Sequence, residues 1–238
     1  MMININVGST GVFQICERST GMKVTKAQAQ ENRARIVDTA AALFRERGYD
    51  GVGVADLMAA AGFTHGGFYK HFGSKADLMA EAAESGISQR LCNGGAADMT
   101  EFVSHYLSRE HRDGRGAGCT MAALSGDAAR QSDAVKATFA NGIESSVAAF
   151  RRQVPSEGDV DANEARAKMI DTFAHAVGAL VLSRACPDDS PLADEILGVC
   201  RQRILASLRA QDTDRPLPRQ KAKGRSRPDP AAQQETHP

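Results

Sequence analysis

The chain has 238 residues, enough to bury one large or two small cores, with 42% hydrophobic residues, no tryptophan and a formal net charge of zero. Its five cysteines, an odd number with no Cys-x-x-Cys spacing, argue against a disulfide framework or a zinc ribbon and point to a reducing, cytoplasmic setting. No run of about eighteen apolar residues occurs, and the N-terminus lacks a basic stretch followed by an apolar one, so neither a membrane span nor a signal peptide is expected.

Residues 1–22 have no usable periodicity and contain Gly8-Ser9-Thr10-Gly11 and Ser19-Thr20-Gly21, so they read as a disordered arm or as an extension ahead of a start at Met22. A compact head is expected over 23–79. Its first helix is predicted from about Asn32 to Arg47, because Ile36, Ala40, Leu43 and Phe44 form one apolar stripe. Gly48 supplies a left-handed stop, and Arg45 and Arg47 suit the last turn. Gly53 caps a short second helix with Val54, Leu57, Met58 and Ala61 inward and Asp56 in its first turn. Gly62 makes a tight turn, and Thr64 caps a third helix, its hydroxyl able to accept from an exposed amide. Phe68 and Phe72, four apart, point inward. Ser74-Lys75-Ala76-Asp77 has the form of a capping box that opens a fourth helix.

The outer side of the third helix is small and polar at its start and aromatic at its end. Thr64 and His65 can reach base edges, Tyr69 can meet a phosphate or a thymine methyl, and Lys70 can neutralise a phosphate, with His71 beside it. Gly66 and Gly67 each cost about 1 kcal/mol against alanine in a helix, and close backbone approach to a ligand compensates for that. Lys75 stands at a helix N-terminus, where charge and free amides both suit a phosphate.

Leu43-Phe44-x-x-x-Gly48-Tyr49, then Ala61-Gly62-Phe63-Thr64, then Phe68-Tyr69-x-x-Phe72-x-Ser74-Lys75, resembles the N-terminal domain of TetR-family transcriptional regulators. The resemblance covers some fifty residues. It implies an all-α homodimer with a three-helix helix-turn-helix head, which binds palindromic double-stranded DNA until a small molecule binds a helical C-terminal domain. Carried onto this chain, the DNA contacts are Thr64, His65, Gly67, Tyr69, Lys70, His71 and Lys75. Gly53 stands where such proteins commonly carry Ser or Thr, which removes a hydroxyl contact to phosphate.

Residues 80–210 form the body, a ligand-binding and dimerisation domain in this reading. Apolar stripes predict helices through Met99, Phe102, Val103, Tyr106 and Leu107; a short one at Met121 and Leu124; and a longer one from Val135 to Phe150, ended by Pro155 and Gly158. Another runs from Met169 to Val181 and is broken by Pro187. A last, opened by Ser190 and Pro191, carries Ile196 to Leu208. No alternating strand pattern is present. The last two helices are rich in small residues. Following the family, the dimer interface is placed at Phe173, Val177, Val181, Ile196, Cys200 and Ile204. A ligand pocket is expected among Phe102, Tyr106, Met121, Phe139, Ile143 and Phe173. Cys119, which opens a helix after Arg115-Gly116-Ala117-Gly118, is a candidate redox or electrophile sensor, and a small space-filling thiol is the plainer alternative. Residues 211–238, rich in Pro, Arg, Lys and Gln, read as a disordered basic tail.

Charge is uneven. Residues 23–80 carry eight Lys/Arg against six Asp/Glu, residues 81–210 fourteen against eighteen, and residues 211–238 six against four. A positive head on a negative body fits a DNA reader with a separate sensing body. His105, His111 and His175 have no metal-ligand spacing, so no metal and no cofactor are expected. An enzyme is the rival class, but His65-Gly66-Gly67 is not followed by a G-x-S-x-G elbow, and no phosphate loop or nucleotide fingerprint occurs. An architectural DNA-binding protein without a ligand is the other.

Overall fold

The structure is a computed structural model that describes residues 25–93, 99–153 and 162–213. Among these the chain is all helical, without a strand. In the head, α1 (Lys26–Arg47) and α2 (Val54–Ala60) lead to a 3-10 segment (His65–Lys70) and then to α3 (Lys75–Asn93). The body comprises α4 (Met99–Tyr106), α5 (Arg109–Asp113), α6 (Thr120–Ala128), α7 (Asp133–Gln153), α8 (Ala162–Ala185) and α9 (Pro191–Thr213). The readings of residues 1–22 and of 214–238 in the tail, and the stop at Pro155 and Gly158, lie outside the described residues, whereas residues 211–213, expected in the tail, continue α9.

Helix α1 starts earlier than its apolar stripe because Thr25 caps it, its hydroxyl accepting from the Gln28 amide at 3.1 Å. It ends at Gly48, whose φ of 76° only glycine adopts freely, and Gly62 makes the next turn at φ 82°. Gly53 caps α2 through its backbone alone. Ser74 caps α3, its Oγ accepting from the Asp77 amide at 3.1 Å. The five-residue α5 has no counterpart among the expected helices, because Arg-Glu-His-Arg-Asp carries no apolar period; Ser108 starts it by accepting from the His111 amide.

Two hydrophobic clusters hold the molecule. The first joins Ile36, Phe44, Tyr49, Leu57, Met58, Phe68 and Phe72 of the head to Ile87 of α3, Met121 and Leu124 of α6, and Val135 and Phe139 of α7. Packing is therefore continuous across residue 79, where the sequence divides head from body, because α3 turns Leu78, Met79, Ala82, Ala83 and Ile87 inward along its length. The second cluster joins α4, α8 and α9 through Met99, Val103, Tyr106, Leu180, Leu197 and Ile204, with Ala122 of α6 at its edge. The α8–α9 turn is clamped by Arg112, 1% exposed. Its Nε and Nη2 reach the Ser183 carbonyl, Nη2 reaches that of Cys186 at 3.1 Å, and Nη1 pairs with Asp113 and Asp188.

Helix α7 meets its neighbours at Gly142, where a Cβ would stand 2.6 Å from Ile87 Cδ1 and 2.7 Å from Met121 Cε. That close approach fixes the inward face at Val135, Phe139, Gly142, Ser146 and Val147. It turns Ile143 out to 42% exposure, contrary to its expected place in a pocket.

Candidate nucleic-acid interface

The segment after Gly62 is a single 3-10 stretch, tighter than the expected α-helix. Phe68 and Phe72, 1% and 2% exposed, root it in the first cluster with their rings 5.5 Å apart. Around that root Thr64, His65, Gly66, Tyr69 and Lys70 are exposed, while Gly67 and His71 are half-buried. Tyr69 is 70% exposed, and its ring stands edge-on to Phe68 at 5.2 Å. The Thr64 hydroxyl does not cap the segment as expected; only the Thr64 carbonyl accepts there, from the Gly67 amide at 2.9 Å. Neither glycine is demanded from inside. A Cβ at Gly66 would meet nothing within 4 Å, and one at Gly67 would meet only Met58 Cε at 3.5 Å and Thr64 Oγ1 at 3.8 Å.

Three cations frame this surface. Arg33 locks α1 to the segment and to α3: it pairs with Glu81 at 2.5 Å, donates to the His71 carbonyl, and lies over the Phe72 ring at 4.3 Å. Arg35 lies over Phe63 at 5.0 Å. Lys75 turns back into the protein, its Nζ donating to the Tyr49 carbonyl at 2.6 Å. The Tyr49 amide in turn donates to Asp127 Oδ2 of α6 at 3.0 Å, so Tyr49 joins Lys75 to the body. Burial, then the charge of Asp127, pushes the Tyr49 phenol far above its ordinary range. Arg33, Arg35 and Asp127 are not among the residues that the sequence singles out. The only hint lies in two arginines flanking the α1 stripe.

In the body, Phe102, Tyr106 and Phe173 line a cavity between α4, α7, α8 and α9, together with Met99, Phe150 and Met169. Its volume is about 20 Å3, room for one water-sized sphere. Met121 and Phe139, also expected there, lie in the first cluster instead. A wider cleft of about 930 Å3 opens between α1, α3 and the 114–118 loop, and it carries both Arg45 and Arg115 and Glu46 and Asp113. Cys119 is the N-cap residue of α6, half-buried and in contact with both clusters.

Of the residues assigned to a dimer interface, Val181 is 42% exposed, and Phe173, Val177, Ile196 and Cys200 are half-buried. Ile204, 3% exposed, belongs to the subunit's own core, because it falls on the α9 face turned to α4 and α8. The outward apolar face of α8 and α9 carries Ile170, Val181, Leu182, Leu192 and Val199, with open space at Gly178 and Gly198. Among the described residues no group of His, Cys, Asp and Glu could hold a metal ion, and no helix is long and apolar enough to cross a membrane.

Residues 36–82 match the family described as bacterial regulatory proteins, tetR family. The chain is 42% identical over 60 residues to the HTH-type transcriptional regulator AcrR of Shigella flexneri, which covers 25% of this chain and 28% of that protein. It is 41% identical over 61 residues to the HTH-type transcriptional regulator TtgR of Pseudomonas putida, 26% of this chain and 29% of that one. The chain thus matches less than a third of the length of these curated relatives. The likeness of fold extends further. A TetR transcriptional regulator from Chloroflexus aurantiacus superposes with a TM-score of 0.59 at 24% identity, covering 77% of this chain and 96% of that one. Reduced NemR of E. coli does so with a TM-score of 0.57 at 18% identity, covering 73% and 95%. The curated relatives are named as regulators, not as enzymes. Residues 36–82 of the head thus match the tetR family of bacterial regulatory proteins, and the helical fold of the whole is similar to those solved structures.

Proposed function

We propose that the chain is a sequence-specific DNA-binding transcriptional regulator. It acts as a homodimer, and the Thr64–Lys70 segment of each protomer enters the major groove of a palindromic operator. The observation that carries this reading is the outward surface of Thr64, His65, Tyr69 and Lys70 on a buried Phe68–Phe72 root, with two glycines that no contact inside the head requires. Thr64 and His65 read base edges, Gly66 and Gly67 let the backbone come close, Tyr69 and Lys70 hold phosphates, and His71 borders the groove. Lys75 orders the turn before α2 through Tyr49 and offers its remaining donors to a phosphate. Two heads on one dimer engage half-sites one helical turn apart, about 34–36 Å.

Repression released by a small molecule is the regulatory mode this architecture favours. Helix α6 touches both clusters and grips Tyr49 through Asp127, so expansion of the cavity beside α4 and α8 displaces the head. A coupling of about 1–3 kcal/mol changes operator affinity five- to 150-fold. The position of Cys119 against both clusters favours an oxidant or electrophile as a second trigger; a Cys119→Ser protein that still leaves DNA on oxidant treatment dismisses that route.

Fluorescence anisotropy of the full chain against duplex from its own upstream region, with scrambled duplex as competitor, tests the reading. Selective retention supports it, and equal displacement by both duplexes contradicts it. A duplex-bound protein that no small molecule displaces would favour the architectural alternative.

A further inference from the structure

Arg33 and Arg35 are two residues apart on α1, yet the head treats them differently. Arg33 is matched by Glu81 and the His71 carbonyl. Arg35 is exposed, and among the described residues it forms no ion pair. Its hydrogen bond is to a neutral group, Nη2 donating to Asn32 Oδ1 at 3.2 Å. The nearby carboxylates are turned to other partners: Glu31, one turn earlier on α1, accepts from Gln28 at 3.1 Å, and Asp38 accepts from Ser85 and Gln89 of α3. Arg35 is nevertheless held in place, with its guanidinium carbon 5.0 Å from the centre of the Phe63 ring. Phe63 directly precedes Thr64, and its other neighbour is the His71 ring at 6.3 Å. The Phe63 shelf therefore touches both Arg35 and His71, at the far end of the 64–71 segment, and among the described residues it carries a cation without a carboxylate partner at the rim of the proposed reading surface.

We propose that Arg35 is a further DNA-phosphate contact of the head, pre-positioned on Phe63 at the groove edge. A segment that enters the major groove is flanked by the two sugar-phosphate walls, so a cation at its rim meets phosphate while the segment itself meets bases. A guanidinium suits that position because its planar fork gives two parallel hydrogen bonds to phosphate oxygens and still stacks on a ring. Lys75 has one of its donors already committed to the Tyr49 carbonyl, whereas the Arg35 charge is opposed by no carboxylate among the described residues. This inference rests on the DNA-binding reading above.

The test is the salt dependence of operator binding by full-length protein, with duplex from its own upstream region, for wild type, Arg35→Ala and Arg35→Lys. Each phosphate contact contributes about 0.9 to the slope of log K against log salt on duplex DNA. Arg35→Ala is expected to lower that slope by about 0.9 per protomer and to weaken binding to matched and scrambled duplexes by the same factor. Arg35→Lys is expected to restore the slope. Because Arg35 lies on the surface of α1, the circular dichroism melt should not move. An unchanged slope in Arg35→Ala overturns the proposal, and so does a change in which sequences are preferred, which would make Arg35 a base contact. Wild-type protein that ignores every duplex overturns the DNA-binding reading itself, whereas wild-type binding with an unaltered Arg35→Ala slope overturns only this inference.

Discussion

At Gly66 and Gly67 the backbone adopts angles open to any L-residue, and a methyl group would fit at both. Replacing a glycine by alanine at such a position stabilises a protein by about 0.4–1 kcal/mol, mainly by restricting the unfolded chain. Gly67→Ala should therefore raise the urea midpoint while weakening operator binding, since the added methyl stands where the duplex backbone approaches. A variant that gains stability and keeps full affinity would show that the glycines have no part in recognition. Gly48 is the opposite case. Its φ is 76°, and a Cβ there would stand 2.7 Å from Asp127 Oδ2, so glycine is a requirement of the fold. Sequence position already marks Gly48 as a helix stop and Gly66 and Gly67 as a close approach; the surrounding atoms add that a Cβ has no room at Gly48 and has room at the other two. Lys75 follows the same logic. Its place beside a helix cap is legible, but the Tyr49 carbonyl that draws it inward is twenty-six positions away.

Helices α1, α4, α7, α8 and α9 are readable from their apolar residues, although only α4 and α7 confine them sharply to one face. What the period does not contain is which neighbour covers that face. Ile143 shares the α7 stripe in sequence, yet the approach at Gly142 rotates it outward. Ile204 has the spacing of an interface residue and lies in the subunit core. Helix α5 escapes a reading by period because its contribution is polar. Arg112→Ala should cost about 2–4 kcal/mol in urea unfolding, because the Ser183 and Cys186 carbonyls lose their donor and a large buried side chain leaves a void. A loss under about 1 kcal/mol would mean that water replaces the guanidinium and that the clamp on the α8–α9 turn is dispensable.

For the whole molecule, the outward α8–α9 face is the surface that a second copy would cover. Val181→Asp places a charge on that face without entering the core, so it should leave the melting curve of the isolated subunit unchanged, shift sedimentation toward monomer and abolish tight operator binding together. A monomer that retains full operator affinity would separate recognition from pairing and remove the two-head geometry. The continuity of the first cluster from Phe68 to Phe139 also bears on regulation. The head shares the first cluster with α6 and α7, so a displaced α6 presses directly on the head.

Operator recognition in this scheme depends on the Thr64–Lys70 surface reading bases, and the most direct measurement is duplex selection from a randomised library by wild type, Thr64→Ala and His65→Ala. Wild type should select a palindrome, and each variant should relax that preference at matching positions in both half-sites, with about 1–3 kcal/mol of discrimination lost per contact. Identical preferences for all three proteins, or no preference in wild type, would contradict it.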